Sequence, residues 1–344
     1  MSSNEEISKQ VLNILRERGK KALELAKKTM LEEKIESKEV QEAIKYFMTE
    51  HWDDFSRPAL LSLFCEAVGG NPDITTPISI SITLISGAFA IHDDIIDQSK
   101  KKHSKPTVFK KFGKDIALLV GDALMVKGFS LLYKLVQKGV SVEQLAIISD
   151  IIKRTYFELG DAEALQLQFR GRIDVTPEEY LQVVRKEAAD MEGHARIGAI
   201  VGGGSIEEIE ALGEYSRLLG MLTILRSDMI DMLDLEMAIH RIKKEHIPLT
   251  LLFALKKSEM ESIIGLLQKK TLTNNDAGKL LMFVDKAGGF IQMEECMNKL
   301  AEEAYSKLEK VKYNKNILKL FILSQLLPDW RDYLSYAEAR NNSI

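Results

Sequence analysis

From Ile74 to His92 the chain runs for 19 residues, ITTPISISITLISGAFAIH, without one Asp, Glu, Lys or Arg. The next five residues are Asp93-Asp94-Ile95-Ile96-Asp97. A charge-free stretch of this length is near what crosses a bilayer. Its several Ser and Thr, Pro77 close to its start and the acidic cluster directly after it fit a buried core helix better. Such a helix must deliver three carboxylates to water or to a cation, because a buried carboxylate without a partner is costly.

The rest of the chain shares the helical spacing. Val11, Leu12, Leu15 and Leu23 mark a first helix, and Leu60, Leu61, Leu63, Phe64 and Val68 another, which ends at Gly69-Gly70. Helical spacing resumes over 116–136 and again from Val142 to Phe169. Thr176-Pro177-Glu178-Glu179 reads as an N-cap, a first-turn proline and acids at the positive end of a helix dipole. Further helices are expected over 206–239, 248–270, 275–288 and 290–309, with a last pair in the tail. No segment sustains a period-2 alternation. With only 7 Pro and 21 Gly in 344 residues, the expectation is an all-α chain forming one large bundle over 1–344, without a linker-like shift in composition.

Composition narrows the function. A net charge of −4 gives no electrostatic reason to expect nucleic acid. Cys65 and Cys296, the only two cysteines, cannot build a disulfide framework, which suits a reducing cytoplasm. The polar, mixed-charge N-terminus lacks the pattern of a signal peptide.

Two acidic segments carry the chemistry. In HDDIID, Asp93 and Asp97 fall one turn apart on one helix face, with Asp94 beside them. A hard divalent cation such as Mg²⁺ would neutralise them and bridge to a substrate phosphate; a solvated helix end is the plainer alternative. In RSDMIDMLDLE, Asp228, Asp231 and Asp234 recur every three residues among Leu, Ile and Met. Two such ends facing each other would hold Mg²⁺ ions against a diphosphate leaving group. Arg57, Lys100–Lys102, Lys105 and Lys186 could contact that diphosphate, although lysine runs are usually solvated.

These pieces, in this order, resemble the trans-isoprenyl diphosphate synthases, also called polyprenyl synthetases. The carrying residues are HDDIID, KPTVFKKFG at 105–113, GDALM at 121–125, FRGRIDVTPEEY at 169–180, ARIGAIVGG at 195–203 and DMID at 228–231. The resemblance implies an all-α enzyme, commonly a homodimer, that ionises an allylic diphosphate with Mg²⁺ and adds isopentenyl diphosphate (IPP) to the cation. It implies Asp93, Asp97, Asp228 and Asp231 as metal ligands, with Asp94 and Lys186 in the catalytic set. It gives Lys102 the allylic diphosphate and Arg57 and His103 the IPP diphosphate. Phe89, one turn before Asp93, would floor the chain-length cavity and favour a short allylic chain of about C15–C20.

Departures cluster on the IPP side. The family's Gly-Gly-Lys-Arg-x-Arg-Pro segment reads Trp52-Asp53-Asp54-Phe55-Ser56-Arg57-Pro58, with Asp54 at a lysine position. Ser86 stands where a His is usual, and Lys102 and His103 where two Arg are usual. Charge-assisted hydrogen bonds contribute about 1.5–3 kcal/mol each, so these losses would weaken IPP binding by several kcal/mol. In the second motif Ser227 and Ile224 replace the usual Asp and Gln, Lys186-Glu187 replaces Lys-Thr, and the following loop is shortened to IHRIKKEHIP. Asp190, Glu192 and His194 lie on a helix usually more apolar there; they read as a polar face or as a cavity wall carrying a base.

Three functions are compatible with this pattern. The first is a prenyltransferase that passes an allylic group to IPP or to another acceptor. The second is a terpene-synthase-like lyase, for which Asp228 and Glu236 have the outer ligand spacing. The third is a non-catalytic subunit that partners a competent synthase.

Overall fold

A computed structural model describes residues 3–102, 105–138, 140–257 and 259–326. His103 lies outside the described residues. Helices follow one another in chain order: α1 (Ser3–Leu31), α2 (Lys38–Tyr46), α3 (Ser56–Ala67), α4 (Thr76–Ile96), α5 (Val108–Phe112), α6 (Lys114–Tyr133), α7 (Val142–Phe169) and α8 (Pro177–Glu187). They continue as α9 (Ala189–Val201), α10 (Ile206–Leu233), α11 (Leu235–Lys244), α12 (Leu249–Ala254), α13 (Met260–Leu267), α14 (Asn274–Lys286), α15 (Gly289–Lys307) and α16 (Lys315–Gln325). The fold is all-α. The one sheet among the described residues is an antiparallel pair of two-residue strands, Lys101–Lys102 and Lys105–Pro106. The sequence gives that hairpin no alternation to be read from.

Helix starts follow cap chemistry. Ser141, Thr176 and Ser205 each form a reciprocal capping box with the residue three places on, opening α7, α8 and α10. Each such cap contributes about 1 kcal/mol. Two expected helices are broken. The 206–239 helix stops at Leu233, because the Asp234 carboxylate accepts from the Glu236 and Met237 amides and starts α11. The 248–270 helix divides into α12 and α13.

The charge-free stretch is α4, buried along Ile78, Ile82, Ile85, Ala88 and Ile91. It packs tightly on α6. A Cβ at Gly121 would stand 2.3 Å from His92 Nε2, and one at Gly128 would stand 2.9 Å from the Ser81 carbonyl. Among the described residues two helices are long and apolar enough to cross a membrane, Pro72–Ile96 and Lys114–Tyr133. The first has 67% of its apolar window buried, as a core helix requires, and the second only 33%. α6 exposes Leu119, Val126, Phe129 and Tyr133.

A large core joins α3, α8, α9, α10 and α15 through Phe64, Tyr180, Leu222 and Phe290, all buried. α7, α8 and α10 share this core, and their acidic residues meet those at the end of α4.

Candidate active site

The first acidic end closes α4. Lys102, returned by the small hairpin, places its Nζ 2.7 Å from Asp93 and 3.0 Å from Asp94. Burial works against the Lys102 ammonium, but Asp93 and Asp94 outweigh it and hold it charged. Burial pushes the Asp94 carboxyl up to about 6, against the pull of Lys102. Asp97 caps α4 and accepts from Arg170 Nη2 at 3.0 Å. Burial, then repulsion from Asp93 and Glu245, lifts Asp97 to about 6 as well.

Two further carboxylates enter from neighbouring helices. Glu163 on α7 is pushed up to about 8 by burial and then by Asp93 and Asp97. Glu187, the last residue of α8, is pushed up to about 8 by burial and then by Asp228. Glu187, next to Lys186, therefore lies within reach of Asp228. The Lys186 side chain instead lies half-exposed, 3.4 Å from Asp161. Sequence reasoning missed Glu163 and Arg170. An acid in an amphipathic helix and an arginine at its end look like surface charge until the fold brings them to α4.

The second acidic end closes α10. Asp228 is 1% exposed and accepts from Tyr180 Oη on one oxygen and Arg241 Nη2 on the other. Arg241 Nη1 reaches Asp231 at 3.1 Å, and its Nε lies 3.3 Å from Glu245. Burial raises the Asp228 and Asp231 carboxyls, and Arg241 opposes it. His246, 3.0 Å from Tyr180 Oη, is held neutral, lowered to about 3 by burial and by Arg241. Ser227 is exposed and donates to the Thr223 carbonyl of its own helix at 3.1 Å. Asp234 is an N-cap. Glu236 is exposed on α11, so the helix break separates it from Asp228. A narrow crevice beside the first acidic end is lined by Asp97, Glu163 and Arg170 and by Glu245 and His246.

Asp93, Asp97 and Glu163 are hard oxygen donors of the kind Mg²⁺ takes. Among the described residues no three His, Cys, Asp or Glu side chains are already gathered as a cage. Mg²⁺ needs none, since it keeps water and is held by one or two carboxylates with substrate phosphate. The set at α4 and α7 fits it.

Arg57 belongs to a separate cluster. It starts α3 and is held between Asp54 and Asp190, with Nε 2.8 Å from Asp190. Asp54 also accepts the Ser56 amide at 2.8 Å, which ties it to the start of the helix. Burial opposes ionisation of Asp190, but Arg57 and His194 keep it below the usual carboxylate range. Ser86 Oγ lies 3.0 Å from Tyr156 Oη, and Phe89 stacks on the Tyr156 ring at 4.3 Å. Glu192 instead joins Arg196 and Arg217 in an ion-pair network between α9 and α10.

Comparison with known proteins gives the arrangement its context. A geranylgeranyl diphosphate synthase of Methanosarcina mazei is 37% identical over 177 residues, which is 51% of this chain and 54% of that protein. A short chain isoprenyl diphosphate synthase of Methanothermobacter thermautotrophicus is 35% identical over 176 residues, 51% of this chain and 53% of its own length. The chain therefore spans about half the length of these curated relatives. The fold is similar to the crystal structure of geranylgeranyl pyrophosphate synthetase from Pyrococcus horikoshii Ot3. The TM-score is 0.82 at 22% identity, covering 93% of this chain and 99% of that one. The polyprenyl synthetase family model matches residues 37–282, well over half of the chain. By that match the chain belongs to the polyprenyl synthetase family.

Proposed function

We propose that the chain is a Mg²⁺-dependent prenyltransferase that ionises a short allylic diphosphate, of about C15–C20, and passes the prenyl group to IPP or another acceptor. The observation that carries this reading is the acidic centre itself. Asp93, Asp97, Glu163, Glu187 and Asp228 come from four helices; burial raises Asp97, Glu163 and Glu187, and the neighbouring carboxylates Asp93, Asp97 and Asp228 add to it. Packing that much negative charge together is costly unless a cationic load sits there in the working state. The names of the similar synthases point to the same substrate class.

In this reading Asp93 and Asp97, with Glu163, hold Mg²⁺, which when bound supplies positive charge to the departing diphosphate. Lys102, kept protonated by its two aspartates, is placed to contact that diphosphate, and so is Arg170 beside Asp97. The Phe89–Tyr156 stack lies one turn behind Asp93 and would floor an apolar chain pocket that keeps water from the cation. Arg57 is already paired with two carboxylates, so an IPP diphosphate would have to compete for it. The transferase is favoured over a lyase because Asp228 and Glu236 sit on different helices, and Glu236 faces solvent. It is favoured over an inert subunit because the acidic centre has no structural use without a cationic ligand.

The exposed apolar residues of α6 suit a second copy of the chain, so the proposed working form is a homodimer. The proposed location is the cytoplasm. The test is mass spectrometry of products formed with Mg²⁺ and C5 to C20 allylic diphosphates, each with and without IPP. A longer diphosphate that appears only with IPP supports the reading. A hydrocarbon or alcohol formed equally without IPP would replace it with the lyase.

A further inference from the structure

The second acidic end carries a cation of its own. Arg241 spans Asp228 and Asp231 with its two terminal nitrogens and presents Nε to Glu245. The Arg241 side chain is 13% exposed and that of Asp228 is 2% exposed. Both Asp228 oxygens already accept, one from Arg241 and one from Tyr180. A Mg²⁺ ion, which keeps several waters, would have to displace a buried guanidinium and a phenol from a carboxylate closed to solvent. Ser227, which adds no carboxylate, faces solvent and bonds to its own helix. A metal does not fit this end as it stands.

The first end differs in charge balance. Among the described residues the ion pairs of Asp93, Asp94 and Asp97 are with Lys102 and Arg170, Glu163 adds a further carboxylate, and the Asp93 side chain is 34% exposed. The Asp93 carboxylate is open to solvent where that of Asp228 is not.

We infer that Arg241 is the resident cation of the second acidic end, standing where a metal ion would otherwise bridge Asp228 and Asp231, so that divalent cations load only at Asp93, Asp97 and Glu163. The inference rests on the diphosphate chemistry proposed above. A planar guanidinium bonds carboxylate oxygens directly, so Arg241 meets the charge of Asp228 and Asp231 from within the chain.

The test counts bound Mn²⁺ by equilibrium dialysis and electron paramagnetic resonance. It uses the full chain with saturating inorganic pyrophosphate, so no turnover is needed. Asp231→Asn, at a partly exposed position, is the decisive variant, with Arg241→Lys as a charge-preserving companion. Both are expected to bind as many Mn²⁺ ions as the unaltered chain, while Asp93→Asn loses one or more. Arg241→Gln is expected to gain one. Loss of a Mn²⁺ ion from Asp231→Asn overturns the inference. An undiminished count in Asp93→Asn would instead overturn the metal role in the proposed function, so the two failures are distinguishable.

Discussion

The acidic ends of α4 and α10 look alike as strings of letters and behave differently in the fold. Asp93 and Asp97 are partly exposed, and with Asp94 and Glu163 they outnumber Lys102 and Arg170, the cations paired with them among the described residues. Asp228 is sealed under Tyr180 and clamped by Arg241, and there the charge is met from within the chain. A carboxylate in a helix end is therefore a metal ligand or a structural ion-pair partner according to what its neighbours supply. Sequence spacing does not separate the two.

The largest expected effect falls on the sealed end. Arg241→Gln leaves Asp228 as an uncompensated buried charge, and breaking such a pair costs about 3–5 kcal/mol. Thermal melting should show it as a large fall in Tm. Asp228→Asn in the same chain should restore part of the loss, whereas two independent losses would add. At the open end, Asp93→Asn should leave stability little changed and lower kcat by about 10²–10³-fold, the scale for removing one preorganised charge contact. Steady-state assays with a fixed allylic diphosphate check this.

The open end should also be visible in pH dependence. Glu163 and Glu187 are raised from 4.5 to about 8, so the folded chain holds their protons more tightly than the unfolded chain does. Their stabilising contribution is full below about 4.5 and is lost as pH rises toward about 8. His246 is lowered from 6.5 to about 3, so its opposite effect is over by pH 6.5. Between pH 6.5 and 8, in chelator, Tm should therefore fall, and Glu163→Gln should flatten that slope.

A smaller effect is expected at Arg57. Asp54→Lys removes one of its two carboxylates and adds a cation, which should lower the KM for IPP about tenfold, or about 1.4 kcal/mol. An unchanged KM would mean that IPP does not use this cluster. The mildest is Val126→Glu on the exposed face of α6, which should shift the oligomer toward monomer in analytical ultracentrifugation without altering helicity.

Much of this was legible in the residues. The α7 limits, Val142 and Phe169, follow from the Ser141 capping box and from Gly171, which adopts φ +72° just beyond the helix. The α4 helix and its three carboxylates stand out because a charge-free run ending in acids admits few arrangements. The break at Asp234 did not stand out, since an N-capping aspartate and a motif aspartate look the same until the backbone turns. Glu163, Arg170 and Arg241 were hidden for a different reason. Each is an ordinary polar residue of an amphipathic helix or short connection, and its role comes from partners 66 to 74 residues away or from a turn that shortens a loop. The acidic spacing and the family resemblance both led to a metal-binding expectation for Asp228 and Asp231, and only the packing introduces the arginine between them.

If divalent cations load at one acidic end and arginine serves the other, anomalous diffraction from crystals grown with Mn²⁺ and inorganic pyrophosphate will separate the two. Manganese peaks are expected against Asp93 and Asp97, with Arg241 still bonded to Asp228 and Asp231. A manganese peak at ligand distance from Asp228 or Asp231, with Arg241 displaced, would contradict that division of roles.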